Sequence, residues 1–146
     1  MTDAAPNIPV ATLNIDDFCR DVATALVQLA TVFPRPHNVF VEDVHRPEDT
    51  DEFGLHSDRF LACFAALTWL KEEGYVRYAD TLRMEAIEQA VLTSTSLIKL
   101  ITPKAVDIKE TSALDRNTLL ARMREALRIG SSTELRLAVL EFIQEP

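Results

Sequence analysis

Apolar residues recur every three or four positions along residues 14–33, which is the spacing of one face of an α-helix. This stretch, NIDDFCRDVATALVQLATVF, places its apolar side chains at Ile15, Phe18, Cys19, Val22, Ala25, Leu26, Leu29 and Phe33. Asn14 suits the N-cap, and Asp16 and Asp17 favour the positive end of the helix dipole. Pro34 ends the pattern, because a residue that precedes proline disfavours helical backbone. The pattern predicts a long first helix.

A second helix is predicted over residues 57–73, SDRFLACFAALTWLKEE, with Ser57 as its N-cap. It is apolar on almost every side from Phe60 to Leu70. A helix with so little polar surface lies at the centre of the core or is partly covered by another subunit. Gly74 ends it, since glycine readily adopts the left-handed backbone that terminates helices.

The segment after this glycine has the composition of a β-hairpin. YVRY (75–78) is aromatic and β-branched, ADT (79–81) predicts a turn, and EAIEQAVL (85–92) can return as the second strand. Earlier in the chain, NVFVEDV (38–44) also has the composition of a short strand. The hairpin therefore follows directly on the second helix.

Three further helices are predicted after the hairpin. TSTSLIKLI (93–101) begins with a capping threonine, residues 115–128 place leucines and Met123 on one face, and SSTELRLAVLEFI opens with Ser131 and Glu134 in capping-box spacing. The last two helices carry apolar residues on more than one face. They either fold back onto their own domain or clasp a neighbouring chain.

Acidic residues are concentrated in the first third of the chain. The formal net charge is −8, and residues 1–52 contain ten acids against three arginines, above all in the acidic loop EDVHRPEDTDE (42–52). Such a field repels phosphate backbones unless a local basic patch overrides it. We predict one domain over residues 1–103 that includes this loop, followed by a linker and helical extension over 104–146.

The bulk properties are those of an ordinary soluble protein. A chain of 146 residues can bury a single core, and it contains no run of eighteen apolar residues. Its N-terminus lacks the basic start and apolar run of a secretory signal. Cys19 and Cys63 both fall within apolar helical patterns, which favours core packing and a reducing compartment. We therefore predict a cytoplasmic location.

The helix–strand corner also carries a resemblance. FAALTWLKEEGYVRY followed by AVLTSTSLIKL resembles small bacterial winged-helix-like proteins of unassigned function, in which Trp-Leu-x-Glu-Glu-Gly-Tyr ends a helix and a wing leads to Leu-Thr at the next one. TVFPRPHNVFVED and the two terminal helices extend the resemblance over most of the chain. Ser96 departs from it, since glycine is usual there, and we expect only a small local change. The resemblance implies a mainly α, α+β fold: a winged-helix domain with a two-stranded wing and a C-terminal helical pair.

No constellation of residues predicts a reaction. The acidic loop lacks the glycine and ligand spacing of a calcium loop, and His37, His45 and His56 are each isolated, whereas zinc needs clustered ligands. No hydroxyl or thiol stands beside a base in a nucleophile motif. We predict a protein that is not an enzyme and has no metal or other cofactor.

Two binding roles remain. The first is a protein–protein interaction or adaptor subunit that associates with itself, with no membrane partner; its candidate surface residues are Trp69, Tyr75, Arg77, Tyr78, Arg83, Leu137, Leu140 and Phe142. The second is a DNA-binding transcriptional regulator, with candidate contacts at Arg59, Lys71, Arg77 and Arg83. Nucleic acid is disfavoured, because nearby acids leave the local charge of this region close to zero.

Overall fold

The computed structural model describes residues 10–47, 50–104 and 117–144. It is a mixed α+β fold, rich in helix, with a small antiparallel sheet. In chain order the elements are α1 (Val10–Val32), β1 (His37–Phe40), α2 (Val41–Val44), α3 (Asp58–Glu72), β2 (Val76–Arg77), β3 (Asp80–Leu82), β4 (Ala86–Leu92), α4 (Ser94–Ile101), α5 (Leu119–Ile129) and α6 (Ser132–Gln144). Glu48 and Asp49 of the acidic loop, and the predicted linker beyond Lys104, lie outside the described residues.

The first helix starts earlier than its sequence pattern predicts. α1 begins at Val10, so Asn14 lies inside the helix and is not its N-cap. Pro9 is the last proline before Pro34, so no residue between Val10 and Asn14 strongly opposes helical backbone. The predicted apolar stripe is otherwise confirmed in the core, with the exception of Ile15, which is 42% exposed.

The sheet is built around β4. β1 pairs with one side of β4, and β2 and β3 pair in succession with the other side, all antiparallel. Opposite Asn38 the register slips. At this point Gln89 has a φ of +61°, and its backbone N–H donates to the Asn38 side-chain oxygen at 2.9 Å. The side-chain bond holds the bulge that the slip creates.

The hairpin turn lies further along the chain than predicted. Residues 79–81 were expected to turn, but Asp80–Leu82 forms β3, and the turn falls at Arg83 and Met84, with φ values of +46° and +60°. The Glu85 N–H donates to the Leu82 carbonyl across these two residues, and two consecutive positive φ values are those of a type I′ turn. Pairing with β4 therefore overrides the local turn chemistry of Ala-Asp-Thr.

The predicted strand over 38–44 is also only half strand. Residues His37–Phe40 pair with β4, whereas Val41–Val44 form the single helical turn α2. Val41 and Val44 are buried and lie three residues apart, so a helical turn directs both side chains into the core.

Helix ends lie where the sequence predicts them when a predicted capping residue bonds to a near neighbour in the chain. Ser57 accepts a hydrogen bond from the Phe60 backbone N–H, and Thr93 accepts one from that of Ser96, so both predicted caps are confirmed. Gly74 has a φ of +80°, as a left-handed helix terminus requires. The helix predicted from residue 115 begins only at Leu119, with Thr118 as its cap.

The two C-terminal helices pack against the rest of their own chain. One cluster of buried side chains runs through α1, the sheet and α3, and it includes Leu119 and Met123 of α5 and Phe142 of α6. Phe142 is fully buried, its ring centre lies 4.8 Å from that of Tyr75, and its carbonyl oxygen accepts from Lys99 Nζ at 2.9 Å. One apolar face of each of these helices is thus buried within its own chain.

Candidate protein-interaction surface

The outward side of α3 is mostly apolar. Leu61, Ala62 and Ala65 are exposed, and Thr68 beside them is partly exposed. The opposite side of the helix is buried in the core by Phe60, Cys63, Ala66, Leu67 and Leu70. This outward side, the α3 face (Leu61, Ala62, Ala65 and Thr68), explains why the helix pattern is apolar almost all round.

A groove of about 380 Å³ lies between the N-terminal half of α1 and α3. Leu13, Phe18 and Ala62 supply its apolar lining, and Leu13 is 49% exposed. Asp17 and Asp58 also line it. The groove therefore continues the apolar α3 face onto α1 and adds an acidic border.

Arg59, a candidate DNA contact, is held inside this groove. Its two terminal nitrogens each lie 2.7 Å from an oxygen of Asp21, and its Nε lies 3.4 Å from Asp17. Asp21 is only 1% exposed, and its hydrogen bond holds the pKa of Arg59 above its ordinary value. A guanidinium bonded in this two-pronged way is not presented to a phosphate.

Sequence reasoning missed Asp21. It follows Phe18 by three residues and so shares one side of α1 with an apolar neighbour, which was the available signal. Its partner is 38 positions away, in another helix. Only the tertiary structure shows that the two charges meet.

The other three candidate DNA contacts do not form one basic surface. Lys71 Nζ lies 4.5 Å from the centre of the Tyr78 ring, at the end of α3. Arg77 and Arg83 are exposed, but the first lies in β2 and the second at the hairpin turn. Arg83 lies six positions after Arg77, which is about 20 Å of extended chain at the usual rise per residue.

Several predicted contact residues are partly or fully buried. Trp69 is only partly exposed and packs on the core, with its ring 5.0 Å from that of Phe18 and at nearly a right angle to it. Tyr75 and Phe142 are buried, so neither can touch a partner in this structure. Their apolar side chains pack within the core because α6 folds back over the junction between α3 and β2.

Leu137 and Leu140 are exposed on the outer side of α6, with 52% and 47% of their surface open. Arg136 on one flank bonds to Asp16 of α1, and Glu141 on the other bonds to Arg122 of α5. The helix is thus anchored on both sides, and the two leucines point away from the chain. They form a second apolar patch, separate from the α3 face.

The acidic loop ends in an ordered turn. Asp51 Oδ1 accepts hydrogen bonds from the backbone N–H groups of Phe53 and Leu55, at 2.8 and 2.9 Å, and the Asp51 N–H donates to the Leu55 carbonyl. Gly54 supplies the positive φ of +78° that the turn requires. The bonds leave Phe53 76% exposed and Leu55 62% exposed. Sequence reasoning treated this loop as charge alone and overlooked its apolar tip.

Neither thiol is placed for catalysis. Burial raises the pKa of Cys63 to about 12 and that of Cys19 to about 11, so both are protonated at neutral pH. Within the described ranges, no group of three or more His, Cys, Asp or Glu side chains is arranged to hold a metal ion. Across the same ranges, no helix is both long and apolar enough to cross a membrane.

No protein-family model, curated protein or solved structure matched this chain. The function proposed below therefore depends on the surfaces of this chain alone.

Proposed function

We propose that this chain is a non-catalytic winged-helix protein that acts as a protein–protein interaction subunit and associates with itself. The order helix, strand, helix, helix, hairpin supports the winged-helix assignment, as does the position of β1 on the far side of β4 from β2. In this assignment, β3 and the last strand form the wing. The helical pair α5 and α6 completes the core.

The α3 face carries this proposal. In a winged helix that binds DNA, the helix before the hairpin enters the major groove with polar and basic side chains. Here that helix presents Leu61, Ala62 and Ala65 to the outside, while Arg59 is bonded to the buried Asp21. An apolar surface with a charged border is what a protein partner buries.

A DNA-binding regulator is the alternative function. The exposed Arg77 and Arg83 favour it, because two-fold pairing of chains could bring wing arginines to a phosphate backbone. Each phosphate contact releases about 0.9 counterion on duplex DNA, so binding through few contacts must be weak and sensitive to salt. The two functions therefore predict different responses to DNA.

The first test replaces Ala65 by Glu, which adds a charge at the centre of the α3 face without touching the core. We expect proteins captured by the wild-type chain from an extract of its source cells to be lost with Ala65→Glu. Ala79→Glu is the matched control, since Ala79 is also exposed but lies in the hairpin. Equal capture by all three chains would contradict a role for the α3 face.

The second test is a mobility shift on duplex DNA at low and at physiological salt. We expect no shift at either salt concentration. A shift at low salt that weakens steeply as salt rises, and that Arg77→Glu and Arg83→Glu both abolish, would replace the interaction function by the regulator function.

A further inference from the structure

We propose that the tip of the acidic loop of one copy binds in a groove of a second copy, head to tail. The tip is the turn Asp51–Leu55, which begins in the acidic loop (42–52) and extends three residues beyond it. The groove lies between α4, the loop after α1 and the end of β4, and we call it the α4 groove. This inference rests on the proposed self-association and names the two surfaces that produce it.

The tip has the properties of an interface anchor. Phe53 is the most exposed large apolar side chain among the described residues, and Leu55 lies beside it. The bonds to Asp51 hold the turn in one shape before any partner arrives, which lowers the entropy cost of binding. Phenylalanine is among the aromatic residues that are enriched at protein interfaces.

The α4 groove offers an apolar site with a positive border. It has a volume of about 470 Å³, which lies in the range of sites that enclose a small group of side chains. Phe33, Pro34, Val91 and Leu97 provide the apolar lining. Arg77 is the charged side chain among the described residues that line it.

Charge makes the two surfaces complementary. The tip carries Asp51 and Glu52, and none of the described residues that line the groove is acidic. The exposed Arg35 follows Pro34 directly, which adds a second positive charge to the same end of the molecule. Opposite charges around an apolar contact favour this orientation and speed the encounter of two copies.

A chain cannot fill its own groove. The loop is fastened to the start of β4, where His56 Nε2 lies 3.4 Å from Glu85 Oε2 and the Val41 N–H donates to the Glu85 carbonyl. The groove lies at the other end of the strand, beside Val91. Six residues of strand span about 20 Å, and the closed turn at Asp51 keeps the tip from reaching that far.

The contact is therefore made between copies, and its two halves are different surfaces. Such a heterologous contact leaves one free tip and one free groove at the ends of every assembly. Growth continues until a ring closes, or continues without limit if no ring can form. The average mass should therefore rise with protein concentration.

The test measures sedimentation velocity of the full chain over a concentration series, together with thermal unfolding of each variant. A double variant, Phe53→Ser with Leu55→Ser, removes the tip, and Arg77→Glu reverses the charge of the groove. Leu140→Ser and Arg83→Glu are matched controls, because they make the same kinds of change at exposed positions elsewhere. We expect the tip and groove variants to stay at the mass of one chain while wild type and both controls grow.

A mixture of the tip variant and the groove variant gives a more specific test than either variant alone. The tip variant keeps an intact groove and the Arg77→Glu variant keeps an intact tip, so an equimolar mixture should form a one-to-one pair and nothing larger. Higher salt should weaken that pair, since part of the attraction is between charges.

Other outcomes overturn the inference in distinguishable ways. If the tip and groove variants associate as wild type does, or if only Leu140→Ser loses association, self-association stands but uses another surface. If wild type remains a single chain at every concentration, self-association itself fails. The role of the α3 face, tested by Ala65→Glu, would be unaffected.

Discussion

Ser96 joins two elements through a single oxygen atom. Its side chain is fully buried, and its hydroxyl donates a hydrogen bond of 2.6 Å to the carbonyl oxygen of Tyr75. The Thr93 N–H donates to the same carbonyl at 3.2 Å, and the Thr93 hydroxyl donates to the Gly74 carbonyl at 2.8 Å. Several hydrogen bonds therefore fasten the start of α4 to the start of the hairpin. The expectation of only a small local change at Ser96, drawn from the resemblance, stays a prediction. In the structure, the Ser96 hydroxyl forms a tertiary hydrogen bond.

Replacing Ser96 by Ala should lower the free energy of unfolding by about 1 kcal/mol, because a buried hydrogen bond is lost while Thr93 still satisfies the carbonyl. Urea denaturation followed by circular dichroism measures the change. Ser94→Ala, at an exposed position of the same helix, should have little effect. Alanine has the higher helix propensity, so propensity alone would raise the stability of both variants. An equal loss in both variants would therefore contradict a specific contribution from the bond to Tyr75.

Single residues could be predicted from the sequence where their partners are close in the chain. Ser57 and Thr93 cap helices through the residue three positions further on, so their role follows from local pattern. Asp21 and Arg59 could not be paired in advance, because their contact depends on how α1 and α3 pack. The same limit applies to Phe53, whose exposure follows from the turn that Asp51 closes.

At the scale of elements, Glu141 connects three segments of the C-terminal part. Its carboxylate bonds to Arg122 of α5 at 2.7 Å and also pairs with Lys104, which lies just after α4. Hydrogen bonds from Arg122 and Lys104 hold the pKa of Glu141 below its ordinary value. The pairing is partly exposed and therefore makes only a modest contribution to stability.

This pairing predicts a pH dependence. Because the pKa of Glu141 is lower in the folded than in the unfolded chain, the stabilisation is complete above the unfolded value of about 4.3 and is lost as the pH falls through the folded value. Glu141→Gln should therefore lose stability at neutral pH and show a shallower fall on acidification. Unfolding free energies measured from neutral to acidic pH test this. Parallel curves for the two chains would contradict it.

The hairpin shows where element prediction failed. Its two strands were expected from their β-branched and aromatic residues, and both exist. The turn was misplaced because Ala-Asp-Thr has stronger turn chemistry than Arg83 and Met84. Antiparallel pairing of Thr81 with Ile87 fixes the register instead, and Arg83 and Met84 must adopt positive φ as a result.

At the scale of the whole molecule, one core includes the C-terminal helices. Met123 and Phe142 are fully buried against residues from the first part of the chain. The sequence left open whether these helices pack in their own chain, because apolar periodicity shows that a face is buried but not what buries it. Outer surfaces such as the α3 face are harder still to predict from the sequence. Which apolar residues stay exposed depends on which residues the core buries.

Truncation after Pro103 should therefore abolish cooperative folding, and should not merely reduce association. The fragment would expose the apolar surface of α1 that α5 and α6 cover, and it would lose the buried Phe142 ring. Thermal unfolding followed by circular dichroism should lose its single sharp transition. A cooperative transition close to that of the full chain would show that the first part is stable by itself.

The reactivity of the two buried cysteines can show whether the chain is folded. A thiol-reactive dye cannot reach Cys19 or Cys63 while the core is closed, and neither sulfur lies on the α3 face, the acidic-loop tip or the α4 groove. Subunits that simply come apart should therefore stay unlabelled, whereas a damaged fold should take up dye. Dye labelling of a surface variant therefore shows whether it is folded before its mass is measured.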